Sequence, residues 1–327
     1  MKSVKLFDLI KPAAVYRLPG ILLAIVCLLG FSAPASAATK AQAAPARSSS
    51  GDPFSSGSSS SSGSSGGHGL AQEWEPVNEL KPYKQNYLLL YAHSSQPNNL
   101  PTSPNPLNSV LVPYALDNRD VKFQISFKHA LADNQRYGSL WFGYTQLSFW
   151  QYYDQVNSRP FRENDYEPEL IYSFRPNEAS ILNFGLLHQS NGESNPRSRS
   201  WDRVYIKPGL EFSTARGRLI VQVRWWQRIA EDPATDNNPD IVNYLGYRDI
   251  ELRYEQDGAW KISVIARNLA TQVDIAAPLS SWLMLSSENP GEHLVDIHLQ
   301  YFNGYGESLL DYNQSHTTLG LGISFPF

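Results

Sequence analysis

Val121-Lys122-Phe123-Gln124-Ile125-Ser126-Phe127-Lys128-His129 puts Val121, Phe123, Ile125 and Phe127 on one side of an extended chain and Lys122, Gln124, Ser126 and Lys128 on the other. A period of two with one apolar face marks a half-buried β-strand. The pattern recurs: Ile250, Leu252 and Tyr254 oppose Asp249, Glu251, Arg253 and Glu255, and Val295, Ile297, Leu299 and Tyr301 oppose Asp296, His298 and Gln300. Leu319, Leu321, Ile323, Phe325 and Phe327 share the last stripe. Strands are predicted near 84–94, 121–131, 139–153, 167–175, 181–190, 200–212, 217–229, 242–256, 259–269, 273–286, 292–303 and 316–327. Two architectures accept such strands. A soluble sandwich turns the apolar stripes inward, whereas a membrane barrel turns them outward to lipid and keeps the charges inside. The polar faces carry Arg, Lys and Glu repeatedly. Aromatics gather near strand ends (Trp225, Trp226, Tyr244, Tyr247, Tyr301, Phe302), as an interfacial girdle would. Together with a terminal Phe after an alternating strand, these features favour an all-β, twelve-stranded antiparallel transmembrane barrel.

Composition narrows the function classes. The chain has 327 residues, with 27 Lys and Arg against 31 Asp and Glu, and no basic run, so nothing points to nucleic acid. One cysteine excludes a disulfide framework and a cysteine zinc site. A mean hydropathy of −0.37 is too polar for a helical membrane protein. Lys2, Lys5, Lys11 and Arg17 precede the apolar run Ile21–Phe31 and the small residues Ala35-Ser36-Ala37. This reads as a signal peptide over 1–37, so the protein is expected to be exported. Residues 38–72, rich in Ala, Ser and Gly, read as a flexible linker, which leaves 73–327 as the barrel.

One hairpin carries candidate chemistry. In Ile181–Pro208, Leu182, Phe184, Leu186, His188 and Ser190 continue one apolar stripe, and Asp202, Val204, Ile206 and Pro208 continue another on the returning strand. Polar groups on a lipid-facing stripe are costly and suggest function. Nucleophile, base and orienter could meet there. The spacing is equally that of polar residues at a strand end. The turn holds Asn191, Glu193, Ser194, Asn195, Ser198 and Ser200, oxygen donors that suit a hard cation or a solvated loop. Arg162, Glu163, Arg224 and Arg253 are expected as ion-pair partners in the lumen. His129, His293 and His298 show no metal-ligand spacing.

At these positions the chain resembles outer-membrane phospholipase A. The resemblance runs in order through Tyr144-Thr145-Gln146, Pro160-Phe161-Arg162-Glu163, Tyr166-Glu167-Pro168, His188 with Ser190-Asn191-Gly192, Ser198-Arg199-Ser200-Trp201, Asn238-Pro239-Asp240-Ile241 and Gly304-Tyr305-Gly306-Glu307-Ser308. The resemblance implies a calcium-dependent phospholipase A1/A2 and lysophospholipase of the bacterial outer membrane, acting towards the outer leaflet. It makes Ser190 the nucleophile, His188 the base and the Gly192 N–H an oxyanion donor. It implies a homodimer with calcium at the interface, held by Ser158 of the partner subunit, the Glu193 carbonyl and the Ser198 hydroxyl, with Gln146 in the dimer contact. Two positions depart from the family. Asp202 stands where the family has Asn, and Asn237 stands where it has a carboxylate of a second calcium site, with Asp236 adjacent. A non-enzymatic pore or structural barrel is the competing reading.

Overall fold

The computed structural model describes residues 69–134, 136–256, 259–282 and 295–325. The signal segment 1–37, the linker through residue 68, the strand ends expected at 283–286 and 292–294, His293 and Phe327 lie outside them. Twelve antiparallel strands form the wall: β1 (Asn86–Ser94), β2 (Arg119–Asn134), β3 (Gly138–Trp150), β4 (Phe161–Asn177), β5 (Ser180–Ser190), β6 (Ser200–Thr214), β7 (Gly217–Arg228), β8 (Arg248–Gln256), β9 (Lys261–Ala266), β10 (Ala270–Pro278), β11 (Asp296–Tyr305) and β12 (Ser315–Phe325). Each pairs with its neighbours in sequence, and β12 returns to β1, with Thr318 opposite Ser94 and Phe325 opposite Asn86. The sheet is therefore a closed barrel, which leaves no unpaired edge for lipid to meet.

The opening stripe settles which way the faces point. Lys122 and Lys128 are each 1% exposed, whereas Ile125 between them is 50% exposed. The apolar side chains Phe184, Leu186, Val204, Leu299, Leu319 and Leu321 are likewise exposed on the outer wall. A water-soluble sandwich cannot carry that surface, and lipid can. A cation at mid-wall should be correspondingly costly. Leu321→Arg is expected to destabilise the barrel by about 2–4 kcal/mol in denaturant unfolding from lipid bilayers. An unchanged midpoint would contradict a lipid-facing Leu321.

Ion pairs line the lumen. Arg224–Asp249 (2.5 Å), Lys207–Glu251 (3.1 Å) and Lys122–Glu307 (2.8 Å) neutralise its charges. Arg162 pairs with Asp120 and Asp311, and Arg253 with Glu73 and Glu255, as expected of lumen cations. Glu163 differs: it is fully buried yet makes no ion pair among the described residues, accepting hydrogen bonds instead. At the end with the short turns 136–137, 178–179 and 215–216, a helix α1 (Leu70–Glu73) and Trp74 pack against Trp141, Ile171, Ile181 and Ile220. The Lys128 ammonium lies 3.7 Å from the Trp74 ring centroid, a cation–π contact that ties this plug to β2. At the opposite end, the segment 306–314 dips inward, and Leu309 and Tyr312 join Leu187, Trp201, Tyr205 and Trp226.

Four expectations need correction. Residues 70–72, read as linker, belong to the ordered plug. The strand expected from 242 begins at Arg248, because Ile241–Leu245 forms a helix, α2, that ends at Gly246 with φ +72°, a backbone state that glycine adopts without a Cβ clash. The strand expected over 273–286 ends at Pro278 and passes into the short helix Leu279–Trp282. The aromatic girdle is only partly real. Trp225, Tyr247 and Tyr301 face outward, but Trp226 and Phe302 are buried, and Tyr244 packs on the inner cluster. Adjacent strand residues point to opposite faces, so a Trp-Trp pair cannot lie wholly in a girdle.

Candidate active site

β5 and β6 run antiparallel with His188 directly opposite Asp202 and Ser190 opposite Ser200. Directly opposed residues lie close enough for side chains to meet. His188 Nδ1 lies 2.7 Å from Asp202 Oδ1, with side-chain exposures of 47% and 40%. Both sit on the outer wall, in line with Leu186 on one strand and Val204 on the next. A carboxylate on Nδ1 fixes the tautomer with its proton there and leaves Nε2 as a base. Ser190 follows two residues on, along the same stripe, and its hydroxyl has no hydrogen-bond partner among the described residues.

The turn from Asn191 to Arg199 is built by one side chain. Asn191 Oδ1 accepts from the N–H groups of Glu193 (3.3 Å) and Arg199 (2.9 Å), while its Nδ2 donates to the Arg197 carbonyl (2.8 Å) and to Glu163 Oε1 (3.3 Å). The Asn191 N–H donates to the Arg199 carbonyl at 3.0 Å. Between these engaged amides, the Gly192 N–H has no acceptor among the described residues. Gly192 has φ +66° and is exposed. A Cβ there would stand 3.3 Å from the Tyr166 ring, so glycine suits both the backbone and the space.

The long loops latch this turn. Asn108 donates to Asn195 Oδ1 (2.8 Å) and to the Ser198 carbonyl (3.2 Å). The buried Arg199 reaches the carbonyls of Asn108 and Thr102. Tyr312, in the inward-dipping segment, donates to Asp240 Oδ1 at 2.6 Å; burial first, and then that bond, pushes its phenol up. Neither Asn108 nor the Asn191 cross-tie had a signal in the sequence beyond residue type. Arg199 lies inside the Ser-Arg-Ser-Trp motif but carries no charge chemistry of its own there.

The expected cation ligands fall in different settings. The Glu193 carbonyl has no donor among the described residues, and Ser198 Oγ meets only Asn237 Nδ2, at 3.3 Å. Asn237 Oδ1 is taken by the Ser200 N–H at 2.8 Å, and its NH2 group faces Ser198 and Ser200. In this arrangement it braces the turn. Asp236, adjacent, accepts from Arg228 (2.7 Å) and from the Asn238 N–H through its Oδ1. Ser158 lies at an exposed tip at φ +61°, with Arg159 at φ +56°. Non-glycine residues in that region are held only by their surroundings. Here the Asp154 carboxylate accepts from the Asn157 N–H and Nδ2, and Trp150 Nε1 donates to the Arg159 carbonyl. Gln146 is on the outer wall, where it accepts from the Tyr144 hydroxyl (3.2 Å) and donates to Ser148 (3.0 Å). The register puts Gln146, Tyr166 and Ser190 on one row across β3, β4 and β5, about 10 Å from first to last.

The family model for phospholipase A1 matches residues 70–325. A relative from Neisseria meningitidis serogroup B is 35% identical over 260 residues, covering 75% of this chain; the chain spans 65% of that relative's length. The phospholipase A1 of Klebsiella pneumoniae is 33% identical over 265 residues, covering 78% of this chain and 85% of its own. Among solved structures, the calcium-bound dimer of Salmonella typhi outer membrane phospholipase superposes with TM-score 0.63 at 29% identity, covering 78% of this chain and 96% of that one. The closed barrel, its outward polar hairpin and these matches agree: the chain belongs to the phospholipase A1 family, the phospholipases of the outer membrane.

Proposed function

We propose that this phospholipase hydrolyses acyl esters of membrane phospholipids with a Ser-His-Asp set on its outer wall: Ser190 as nucleophile, His188 as base and then acid, and Asp202 as orienter. The observation that carries the reading is the 2.7 Å His188–Asp202 contact on an otherwise apolar, lipid-facing stripe that Ser190 extends. A phospholipid beside the barrel presents its ester at the level of the headgroups. His188 Nε2 removes the Ser190 hydroxyl proton as Oγ attacks the ester carbonyl. The free Gly192 N–H stabilises the oxyanion that forms. His188 then protonates the departing alcohol, and water releases the fatty acid by the same steps in reverse order.

The oxygens near the turn fit a hard cation. Ser198 Oγ and the Glu193 carbonyl are neutral donors, and calcium takes 6–8 oxygens, so a single chain falls short. Ser158 of the partner subunit would add a third protein oxygen, with water filling the remaining positions, and this makes the active form a homodimer with Gln146 in its contact. When bound, calcium supplies positive charge and ordered water beside the oxyanion. The loop end, which carries the site, faces the outer leaflet, and residues 1–37 are removed as a signal peptide.

Release of fatty acid from mixed detergent–phospholipid micelles, run beside ion conductance in planar bilayers, separates the enzyme from a pore. Release without conductance is expected, and conductance without release overturns the proposal. The family's Asn at the Asp202 position supplies a second check. Asp202→Asn still accepts from Nδ1–H but loses the charge that stabilises imidazolium, so kcat should fall by about tenfold or less. A fall of about 1,000-fold would show that the carboxylate itself is required.

A further inference from the structure

We infer that Glu163 is a positioning residue for the catalytic turn, acting through Asn191 on the Gly192 N–H; the inference rests on the phospholipase reading of the site. Glu163 is 0% exposed at the loop end of β4, on the lumen side of the wall. Its Oε1 accepts from Asn191 Nδ2 at 3.3 Å and from the Leu310 N–H at 3.1 Å. Two residues on, Asp165 accepts from the Leu309 N–H at 2.9 Å. The pair thus joins the inward-dipping segment 306–314 to the turn that begins one residue after Ser190.

The orientation of one amide explains what this does. Asn191 can hold the turn only if its oxygen faces the Glu193 and Arg199 N–H groups and its NH2 faces away. An acceptor behind the NH2 enforces that choice, because the reversed amide would set a donor against two donors. Two acceptors lie there: the Arg197 carbonyl, which belongs to the turn itself, and Glu163, which lies outside the turn and ties the amide to the barrel interior. With Asn191 oriented, the N–H groups of Asn191 and Glu193 are engaged and the Gly192 N–H is left for the oxyanion. Arg197 repeats the link, its guanidinium reaching from the turn to the Arg162 carbonyl.

The test compares kcat and KM on phosphatidylcholine mixed micelles in excess calcium for Glu163→Ala, Glu163→Asp and Glu163→Gln, with wild type and Ser190→Ala alongside. Folding is checked by the gel mobility of the unheated barrel. Glu163→Ala should lower kcat about 30-fold or more, part of what loss of an oxyanion donor costs, with KM changed less than about threefold. Glu163→Asp withdraws the oxygen by one carbon–carbon bond, about 1.5 Å, while keeping the charge. It should show the same kcat loss, and it carries the test if the alanine variant does not fold. In Glu163→Gln the amide oxygen still accepts from Asn191 and Leu310, so activity should stay within about threefold of wild type. Wild-type kcat in the Ala and Asp variants, a loss confined to KM, or a Gln variant as poor as Ala overturns the inference. An inactive wild type, or an active Ser190→Ala, instead overturns the reading of the site on which the inference rests.

Discussion

Ser190→Ala is expected to lower phospholipid hydrolysis by about 10,000-fold or more, with the barrel unchanged. The size follows from the role: without the nucleophile, only binding and oxyanion donors remain, and these retain a small part of the catalysis. The specificity of the effect follows from the structure. Ser190 Oγ has no partner among the described residues, so its removal breaks no brace; the turn is held by Asn191, Asn108 and Arg199. The variant should therefore show wild-type heat-modifiable gel mobility and wild-type calcium protection against unfolding. A serine-directed sulfonyl fluoride should label the wild type once per chain and leave the variant unlabelled. His188→Ala should also block labelling, because the hydroxyl loses its base. Fatty-acid release surviving in Ser190→Ala would remove the nucleophile assignment, whatever the family.

The parts of this site legible in the sequence are those that a repeating wall imposes. Lipid outside and ion pairs inside force a period of two on every spanning strand, so Val121–His129 could be read alone. The same rule placed His188 and Ser190 on the outer stripe, since an even number of steps from Phe184 cannot change face. Asp202 is different. Its stripe was legible, but its pairing with His188 depends on the register that the 191–199 turn imposes, and no periodicity fixes that. The reading failed where distant contacts decide local structure. Ile241–Leu245 has a strand's composition, yet it folds as a helix because Ile241 and Leu245 bury against Trp226 and Tyr312. The plug at Leu70–Trp74 is too short to be stable alone; it is ordered by the Lys128 ammonium and by the Glu73–Arg253 ion pair, partners far along the chain. Asn191 read as one oxygen donor among several in the turn, and Asn237 as the occupant of a family calcium position. Only the direction of each amide shows that both are braces, and amide direction is set by neighbours rather than by sequence.

Chelation is expected to silence the enzyme as completely as loss of its machinery allows. Removing calcium with EDTA should reduce fatty-acid release by about 100-fold or more, since a metal ion beside a developing oxyanion contributes several kcal/mol. The donor set also predicts how calcium binds. Ser198 Oγ and the Glu193 carbonyl are uncharged, and the nearest carboxylates are engaged elsewhere: Glu193 with Arg197 at 3.6 Å, and Asp236 with Arg228. Affinity rises with ligand charge, so half-activation should fall at about 10⁻⁴–10⁻³ M calcium. Magnesium should substitute poorly, because it sheds its waters reluctantly and demands a tight, near-ideal octahedron. Ser198→Ala should raise the calcium needed for half-activation while leaving kcat at saturating calcium nearly intact. Ser158→Ala should do the same through the partner subunit, and its effect should deepen as protein is diluted in detergent, since the proposed site draws on both chains of a dimer. Full activity in EDTA would sever calcium from this mechanism; a calcium requirement independent of protein concentration would place the ion within one chain instead of between two.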